Sequence, residues 1–357
     1  MAFQTDRRFA HIDCLRAVGA LTVFFHHIFP GAVNRLGDIG GIAKTLVSYD
    51  HYLDSGRFGV NLFFIVSGWV IPYSLLGRDG GRTASFVINR AFRLYPMYWI
   101  AITLVLLSTG SGGTGYEALF NYTLLHRFFG ISDVLGLAWT LQVELFFYFL
   151  TASLFVSRLL QRPSYMLGIA AVLICWHVLV PVIVGLSGPR LPVGWTTFLT
   201  LMFCGTVLRF ADEDMVPRRT AVLLVLSFIP ARLAVALAIV DFQWQSMTWL
   251  PEFLPVALPI VTFIVVNSCK TPNWRPLAWI GTISYSLYLL HPLIAPPALV
   301  AMSQSDWFHD RPFTATFLAL LVVVSVSSVT FLAVERPCIR LGRKLAARSR
   351  LPLRQLA

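Results

Sequence analysis

FGVNLFFIVSGWVIPYSLL, residues 58–76, runs for 19 positions without an Asp, Glu, Lys, Arg or His. Wound as a helix rising 1.5 Å per residue, it reaches about 28 Å, the depth of a bilayer's hydrocarbon core. The same test, carried outward along the chain, finds nine more windows: 13–30, 95–108, 135–156, 165–186, 193–209, 220–240, 252–268, 277–298 and 313–334. The window at 95–108 is short, and a tilted segment across 86–108 would serve as well. The ten windows take up about 190 of the 357 residues, which leaves little length for a soluble domain. Composition agrees: 57% of the chain is apolar and 13% charged, against roughly 45–50% and 25% in soluble domains. A disordered chain, a nucleic-acid-binding domain and an ordinary soluble enzyme are excluded. The expected fold is an all-α polytopic membrane protein of about ten transmembrane helices, with a membrane domain over 1–340 and a basic tail over 341–357.

A net charge of +11 would suit a polyanion-binding surface if the basic side chains formed one patch, so their placement decides its meaning. With the N-terminus in the cytoplasm, 20 of the 28 Lys and Arg fall in cytoplasmic segments and 6 in outer loops, while Arg16 and Arg232 lie inside spans. Cytoplasmic loops carry such an excess, so both termini are assigned to the cytoplasm and most of the charge reads as orientation. The five cysteines lie in spans or at their cytoplasmic ends, and their spacing suggests neither a disulfide frame nor a zinc site. The first window contains Arg16, ends in His26-His27 and has no small-residue cleavage site behind it, which reads as a retained helix. No internal repeat or low-complexity segment is present. The longest outer loops are 31–57 and 109–134, and Gly110, Gly112, Gly113 and Gly115 make part of the second flexible.

Ionisable side chains inside spans are costly and normally face the bundle interior, so each is a candidate site. They are Asp13, Arg16, His26, His27, Glu144, His177, Arg232 and His291. Arg16 and His27 are 11 positions apart, which at 100° per residue returns to within about 20° of the same face, about 16 Å along the axis. Asp13 lies one turn before Arg16 and could pair with it. The plainer reading makes Asp13 and Arg16 interface anchors and His27 a packing residue. His26 points about 100° away. Arg90 and Arg93, one turn apart ahead of Tyr95, Tyr98 and Trp99, could grip phosphate oxygens, or anchor the helix at a basic, aromatic interface. Glu144 sits about nine residues inside the outer end of its window, so it needs a proton or a cation, and Arg16 and Arg232 are the cations within spans. Ser284, Tyr288 and His291 form a polar stripe that could line an acceptor site or glue helices together. The histidines show no metal-ligand spacing, so no metal is expected.

Taken together, these residues carry a resemblance. Asp13-x-Leu15-Arg16-Ala17…His27, then residues 58–68 with Asn61 and Ser67, then Arg90-x-x-Arg93-x-x-Pro96-x-Tyr98-Trp99 are similar to the acyltransferase-3 family of integral membrane acyltransferases. Trp139-Thr140-Leu141-x-Val143-Glu144-x-x-Phe147-Tyr148, Ile283-Ser284-Tyr285-Ser286-Leu287-Tyr288-Leu289-x-His291-Pro292 and Glu335-Arg336-Pro337 follow in the family's order. The ordered set, spanning about residues 9–340, is the specific signal. Two positions depart from the pattern: Leu145 stands where the family often has a second acid, and Asn61 where it frequently has Asp.

The resemblance implies an enzyme of a bacterial inner membrane that moves an acyl group, usually acetyl, from cytosolic acyl-CoA to a hydroxyl of a saccharide or glycolipid such as exopolysaccharide, O-antigen or a lipid-linked glycan. No permanently bound cofactor is expected, the donor acyl-CoA being a substrate. Membrane lipid is the remaining partner, nucleic acid is not one, and homo-oligomerisation stays open. The family's Arg-x10-His pair maps onto Arg16 and His27, and its Arg-x-x-Arg onto Arg90 and Arg93. On this reading His27, Arg16 and Glu144 are catalytic. Arg90, Arg93 and Tyr98 bind acyl-CoA, and Asp13, Asn61, Ser67, Trp139, Ser284, Tyr288 and His291 line the site. His27 would act as general base or carry the acyl group, and Glu144 would pair with a cation or orient His27. The rival class is a transporter or flippase for a lipid-linked glycan, which usually shows paired repeats.

Overall fold

The computed structural model describes residues 9–38, 40–76, 83–109, 115–187, 193–239, 249–272 and 274–348. No strand occurs among them. In chain order the helices are α1 (Ala10–Leu36), α2 (Ile42–Leu53), α3 (Ser55–Val70), α4 (Tyr73–Leu76), α5 (Thr83–Thr109), α6 (Gly115–Thr123), α7 (Ala138–Val156) and α8 (Pro163–Ser187). There follow α9 (Val193–Asp212), α10 (Arg218–Leu226), α11 (Phe228–Ile239), α12 (Leu250–Cys269), α13 (Arg275–Thr282), α14 (Ser284–Met302), α15 (Pro312–Thr330) and α16 (Arg336–Arg348). Among the described residues, nine helical segments are long and apolar enough to cross a membrane, with α10 and α11 counted as one. This is a multi-pass membrane protein.

The helix α9 falls outside that set, yet it has 20 residues and so about 30 Å of length. Its contacts show that it runs from one end of the bundle to the other. At its start Trp195 packs on Phe128 and Phe146, whereas at its end Asp212 accepts hydrogen bonds from Trp69 Nε1 and Asn267 Nδ2, both at 2.8 Å. We call the end where α1 begins proximal and the other distal. Asp212, Asn267, His11, Lys270 and Trp69 meet at the proximal end, while Arg57, Glu252 and Arg232 meet toward the distal end. With α9 counted as a crossing, the described helices make ten passes, an arrangement that fits both clusters.

Tight glycine seams place α3 at the centre. Gly19 of α1 and Gly59 of α3 lie against each other's carbonyls, and a Cβ at Gly68 would collide with the Met202 carbonyl of α9. Gly205 answers it against Ile65, so backbones approach where a side chain would hold them apart.

Two expectations need correction, and two boundaries are sharpened. The span placed at 277–298 is two helices, broken at Ile283, and the crossing is α14. The short third window is the tail of the 27-residue α5, which passes through Pro96 and covers the longer segment 86–108 that the sequence allows. Residue 341, where the basic tail is expected to begin, lies inside a helix. Helix α16 continues to Arg348, with Gly342 and Ala346 buried and the Gly342 backbone against Phe92 of α5. Finally, Gly110, Gly112 and Gly113 lie outside the described residues, but Gly115 opens α6 and the segment after it is a packed cap. Asn121, fully buried, donates to the carbonyls of Glu117 and Ser132 and receives the Val134 N–H, and Asp133 accepts the Leu135 and Ala138 N–H groups at the start of α7.

Candidate active site

Two cavities meet inside the bundle. The proximal one encloses about 940 Å³ of empty space, part of it continuous with solvent. The polar side chains on its wall include Arg16 from α1, Ser67 from α3, Arg90 and Arg93 from α5, Glu144 and Tyr148 from α7, and Ser284 from α14. The distal one, about 690 Å³, has His26, His27, Asn61, Arg57 and Trp139 on its wall. Val60 and Tyr288 belong to both, so they form the partition between them.

Three guanidinium groups converge on the proximal cavity because two sequence spacings coincide there. Arg90 and Arg93 are one turn apart on α5, and Arg16 faces them from the first turns of α1. Arg90 is held in place: its Nη2 donates to Ser74 Oγ at 3.0 Å, and its guanidinium lies 5.4 Å from the Phe86 ring and 5.3 Å from the Tyr148 ring. Among the described residues neither Arg16 nor Arg93 closes an ion pair, although both interact with Glu335. Glu335 is 2% exposed and accepts a 2.7 Å hydrogen bond from Ser286. Glu144 accepts a 2.6 Å hydrogen bond from Tyr148. Three cations and the Glu144 carboxylate line the cavity wall, with Glu335 and Asp13 acting on Arg16 from outside it, so the wall itself keeps a positive balance that suits an anionic ligand.

The distal cavity is built around two imidazoles. His27 Nδ1 lies 3.0 Å from Nε2 of His291, and the ring planes are within 13° of parallel. His27 is exposed to the cavity whereas His291 is fully buried. Asn61, 3% exposed, donates from Nδ2 to the Pro255 carbonyl at 2.7 Å, which leaves Oδ1 as an acceptor. Tyr288 shares a 3.0 Å hydrogen bond with Thr140. His26, offset by about 100° from His27, also reaches the cavity wall, but its Nδ1 is engaged by Asp50 at 2.7 Å.

The structure therefore brings together most of the residues singled out from sequence, but divides them between two cavities. Arg16, Arg90, Arg93, Glu144, Ser67 and Ser284 are proximal, His27, Asn61 and Trp139 are distal, and Tyr288 stands between. Tyr98 does not join Arg90 and Arg93. It is fully buried with its hydroxyl on the Asn121 carbonyl at 2.6 Å, tying α5 to the distal cap. Glu144 does not orient His27, since His291 occupies that place. Arg232 is no partner for Glu144, because it lies 3.8 Å from Glu252. Asp13 lines neither cavity but interacts with Arg16. His177 packs on Phe228. Sequence reasoning gave no role to Glu335, Tyr148, Thr140 or Ser286. All four stand inside quoted motifs, and for Glu335 a carboxyl in Glu335-Arg336-Pro337 directly after an uncharged window was the signal available.

The multi-pass helical bundle thus sets an arginine-lined cavity against a histidine-lined one. The chain belongs to the acyltransferase-3 family, whose acyltransferase domain matches residues 9–333. It is 26% identical to an exopolysaccharide production protein of Rhizobium meliloti over 82% of this chain and 92% of that protein. It is 24% identical to a peptidoglycan O-acetyltransferase of Listeria monocytogenes, over 91% of this chain but 55% of that protein. With a putative membrane-bound transacylase of Komagataeibacter xylinus it shares 25% identity over 88% of this chain and 85% of that one. No solved structure matches.

Proposed function

We propose that this protein is an O-acyltransferase of a bacterial inner membrane that takes an acyl group, acetyl by analogy with its relatives, from acyl-CoA at the cytoplasmic face and esterifies a saccharide hydroxyl. The observation that carries this reading is the pair of cavities sharing only the wall of Val60 and Tyr288. One supplies cations for the phosphates of a nucleotide-bearing donor, and the other supplies a base. The excess of Lys and Arg at the proximal end makes that the cytoplasmic side, where acyl-CoA is found. Arg16, Arg90 and Arg93 hold the donor's anionic part, and the acyl arm extends toward the partition.

At the partition, the acceptor oxygen attacks the thioester carbonyl while its proton passes to the His27 ring. The tetrahedral oxyanion collapses, the carbon–sulfur bond breaks, and the thiolate takes the proton from His27. The products are the acyl ester and the free CoA thiol. Asn61 Oδ1 accepts a hydrogen bond from another hydroxyl of the sugar, and the buried surroundings keep water from the thioester.

Detergent-purified protein should show a rise in melting temperature with acetyl-CoA, because a ligand that binds only the folded state stabilises it. His27→Ala should abolish acetyl transfer to a saccharide acceptor and leave that rise intact. No rise at saturating acetyl-CoA would favour a glycan transporter, and a fully active His27→Ala would overturn the base assignment.

A further inference from the structure

Helix α14 contains prolines at 292, 296 and 297. A proline has no N–H, so the carbonyl four residues earlier loses its helical donor. For Pro292 that carbonyl belongs to Tyr288. The His291 ring takes it: Nδ1 lies 2.8 Å from Tyr288 O and 3.3 Å from Leu287 O. Carbonyl oxygens only accept, so Nδ1 of His291 carries a hydrogen. A charged imidazolium is disfavoured here, because His291 is fully buried and its partners among the described residues are His27 and two carbonyls, not a carboxylate. Its Nε2 is therefore a lone pair, and that lone pair faces Nδ1 of His27 at 3.0 Å. The hydrogen between the two rings must then come from His27.

We propose that His291 is a positioning residue that locks His27 in the tautomer with Nδ1 protonated, so that Nε2, the nitrogen turned away from His291, is the unprotonated atom offered to the acceptor hydroxyl. Pro292 sets the lock by freeing the carbonyl that fixes His291. The inference rests on the acyltransferase reading above for its functional consequence, but the tautomer itself can be observed without turnover. During transfer the acceptor proton moves to Nε2 of His27, the resulting imidazolium keeps its Nδ1–H on His291, and the proton leaves on the CoA thiolate. No net proton is gained by the pair. A neutral imidazole thus does for His27 what a buried carboxylate does in a serine hydrolase triad, holding the base in one tautomer.

The test uses the full-length protein, labelled with ¹⁵N-histidine and reconstituted in lipid nanodiscs. The His27 resonances are assigned by their loss in His27→Gln. The expected spectrum has His27 protonated at Nδ1 and bare at Nε2. His291→Leu removes the acceptor, so the His27 hydrogen should shift toward Nε2 and kcat for acetyl transfer should fall about 100-fold, with the KM for acetyl-CoA changed less than about twofold. His291→Gln places a carbonyl oxygen where Nε2 was, and should restore the Nδ1–H signal and at least a tenth of the activity. Pro292→Ala returns an N–H to compete for the Tyr288 carbonyl, and should lower kcat while the melting temperature holds or rises. A wild-type spectrum with His27 protonated at Nε2, or a His291→Leu protein with unchanged kcat, would overturn the proposal. If wild-type protein transferred no acyl group to any saccharide while its His27 carried hydrogen on Nδ1, the acyltransferase reading would fail and the tautomer lock would stand.

Discussion

Arg93 sets the character of the proximal cavity, because among the described residues it has no ion-pair partner and its charge is open to a ligand. Arg90, by contrast, is already engaged by Ser74 and sandwiched with Phe86 and Tyr148. A hydrogen bond to a charged group is worth about 1.5–3 kcal/mol. Arg93→Ala should therefore raise the KM for acetyl-CoA at least tenfold and remove most of its thermal stabilisation, with a smaller loss for Ser74→Ala. Equal KM values in Arg93→Ala and wild type would show that the donor phosphates bind elsewhere. At the distal end, burial alone would raise the Asp50 carboxyl, but hydrogen bonds from His26 and Ser55 outweigh it and bring Asp50 below the usual carboxylate range. A carboxyl with a depressed folded pKa stabilises the protein above its unfolded value of about 4, and that contribution is lost as the pH falls through the folded value. Thermal melts of Asp50→Asn and wild type should differ at neutral pH and converge below about pH 4. Arg16 and His27 were legible as cavity-lining residues from membrane cost and helical spacing, and Arg90 and Arg93 from their spacing together with the family resemblance. Their division between two cavities was not, since it depends on which helices meet at Val60 and Tyr288.

Two helices, α12 and α14, use one device at three prolines. The carbonyls freed by Pro255, Pro259 and Pro292 belong to Pro251, Pro255 and Tyr288, and each finds a side chain: Arg57 Nη1 at 3.3 Å, Asn61 Nδ2 at 2.7 Å and His291 Nδ1 at 2.8 Å. In a membrane an unpaired carbonyl is costly, so the proline that breaks the ladder also selects a polar partner and fixes its orientation. The prolines were plain in the sequence, but the side chain that takes each freed carbonyl, from α3 for two of them and from α14 itself for the third, was not. The glycine seams are the second such element-level feature. Adding a methyl group at Gly68 would drive it into the Met202 carbonyl, whereas nothing lies within 4 Å of a Cβ at Gly168 on α8. Overpacking costs about 1–3 kcal/mol, so Gly68→Ala should lower the melting temperature of the purified protein. Gly168→Ala should leave it unchanged or raise it, since Ala favours a helix by up to about 1 kcal/mol over Gly. Equal melting temperatures would mean that α3 and α9 do not meet as closely as described.

At the scale of the molecule, everything about sidedness turns on α9. If it crosses, there are ten passes and the chain begins and ends on one face, whereas with nine passes it would not. Its composition is ambiguous because Thr196, Thr197, Thr200, Thr206, Arg209 and Asp212 dilute its apolar character. Their environment explains why a crossing helix can carry them: Thr197, Thr200 and Thr206 are buried, Thr206 donates to the Gly68 carbonyl, and Arg209 is 3% exposed. The Arg209 guanidinium lies 4.0 Å from the Trp69 ring and 3.8 Å from the Tyr73 ring while pairing with Glu213 at 2.7 Å. Polar groups satisfied inside the bundle do not face lipid, so hydropathy undercounts such a helix. Reporter fusions separate the two topologies. Alkaline phosphatase, which is active only outside the cytoplasm, should be active when fused after residue 192 and inactive after residue 214. A fusion after residue 348 should be inactive as well. Equal activity at 192 and 214 would take α9 out of the membrane, and would place the arginine cavity and the C-terminal helix α16 on faces other than those the basic residues assign.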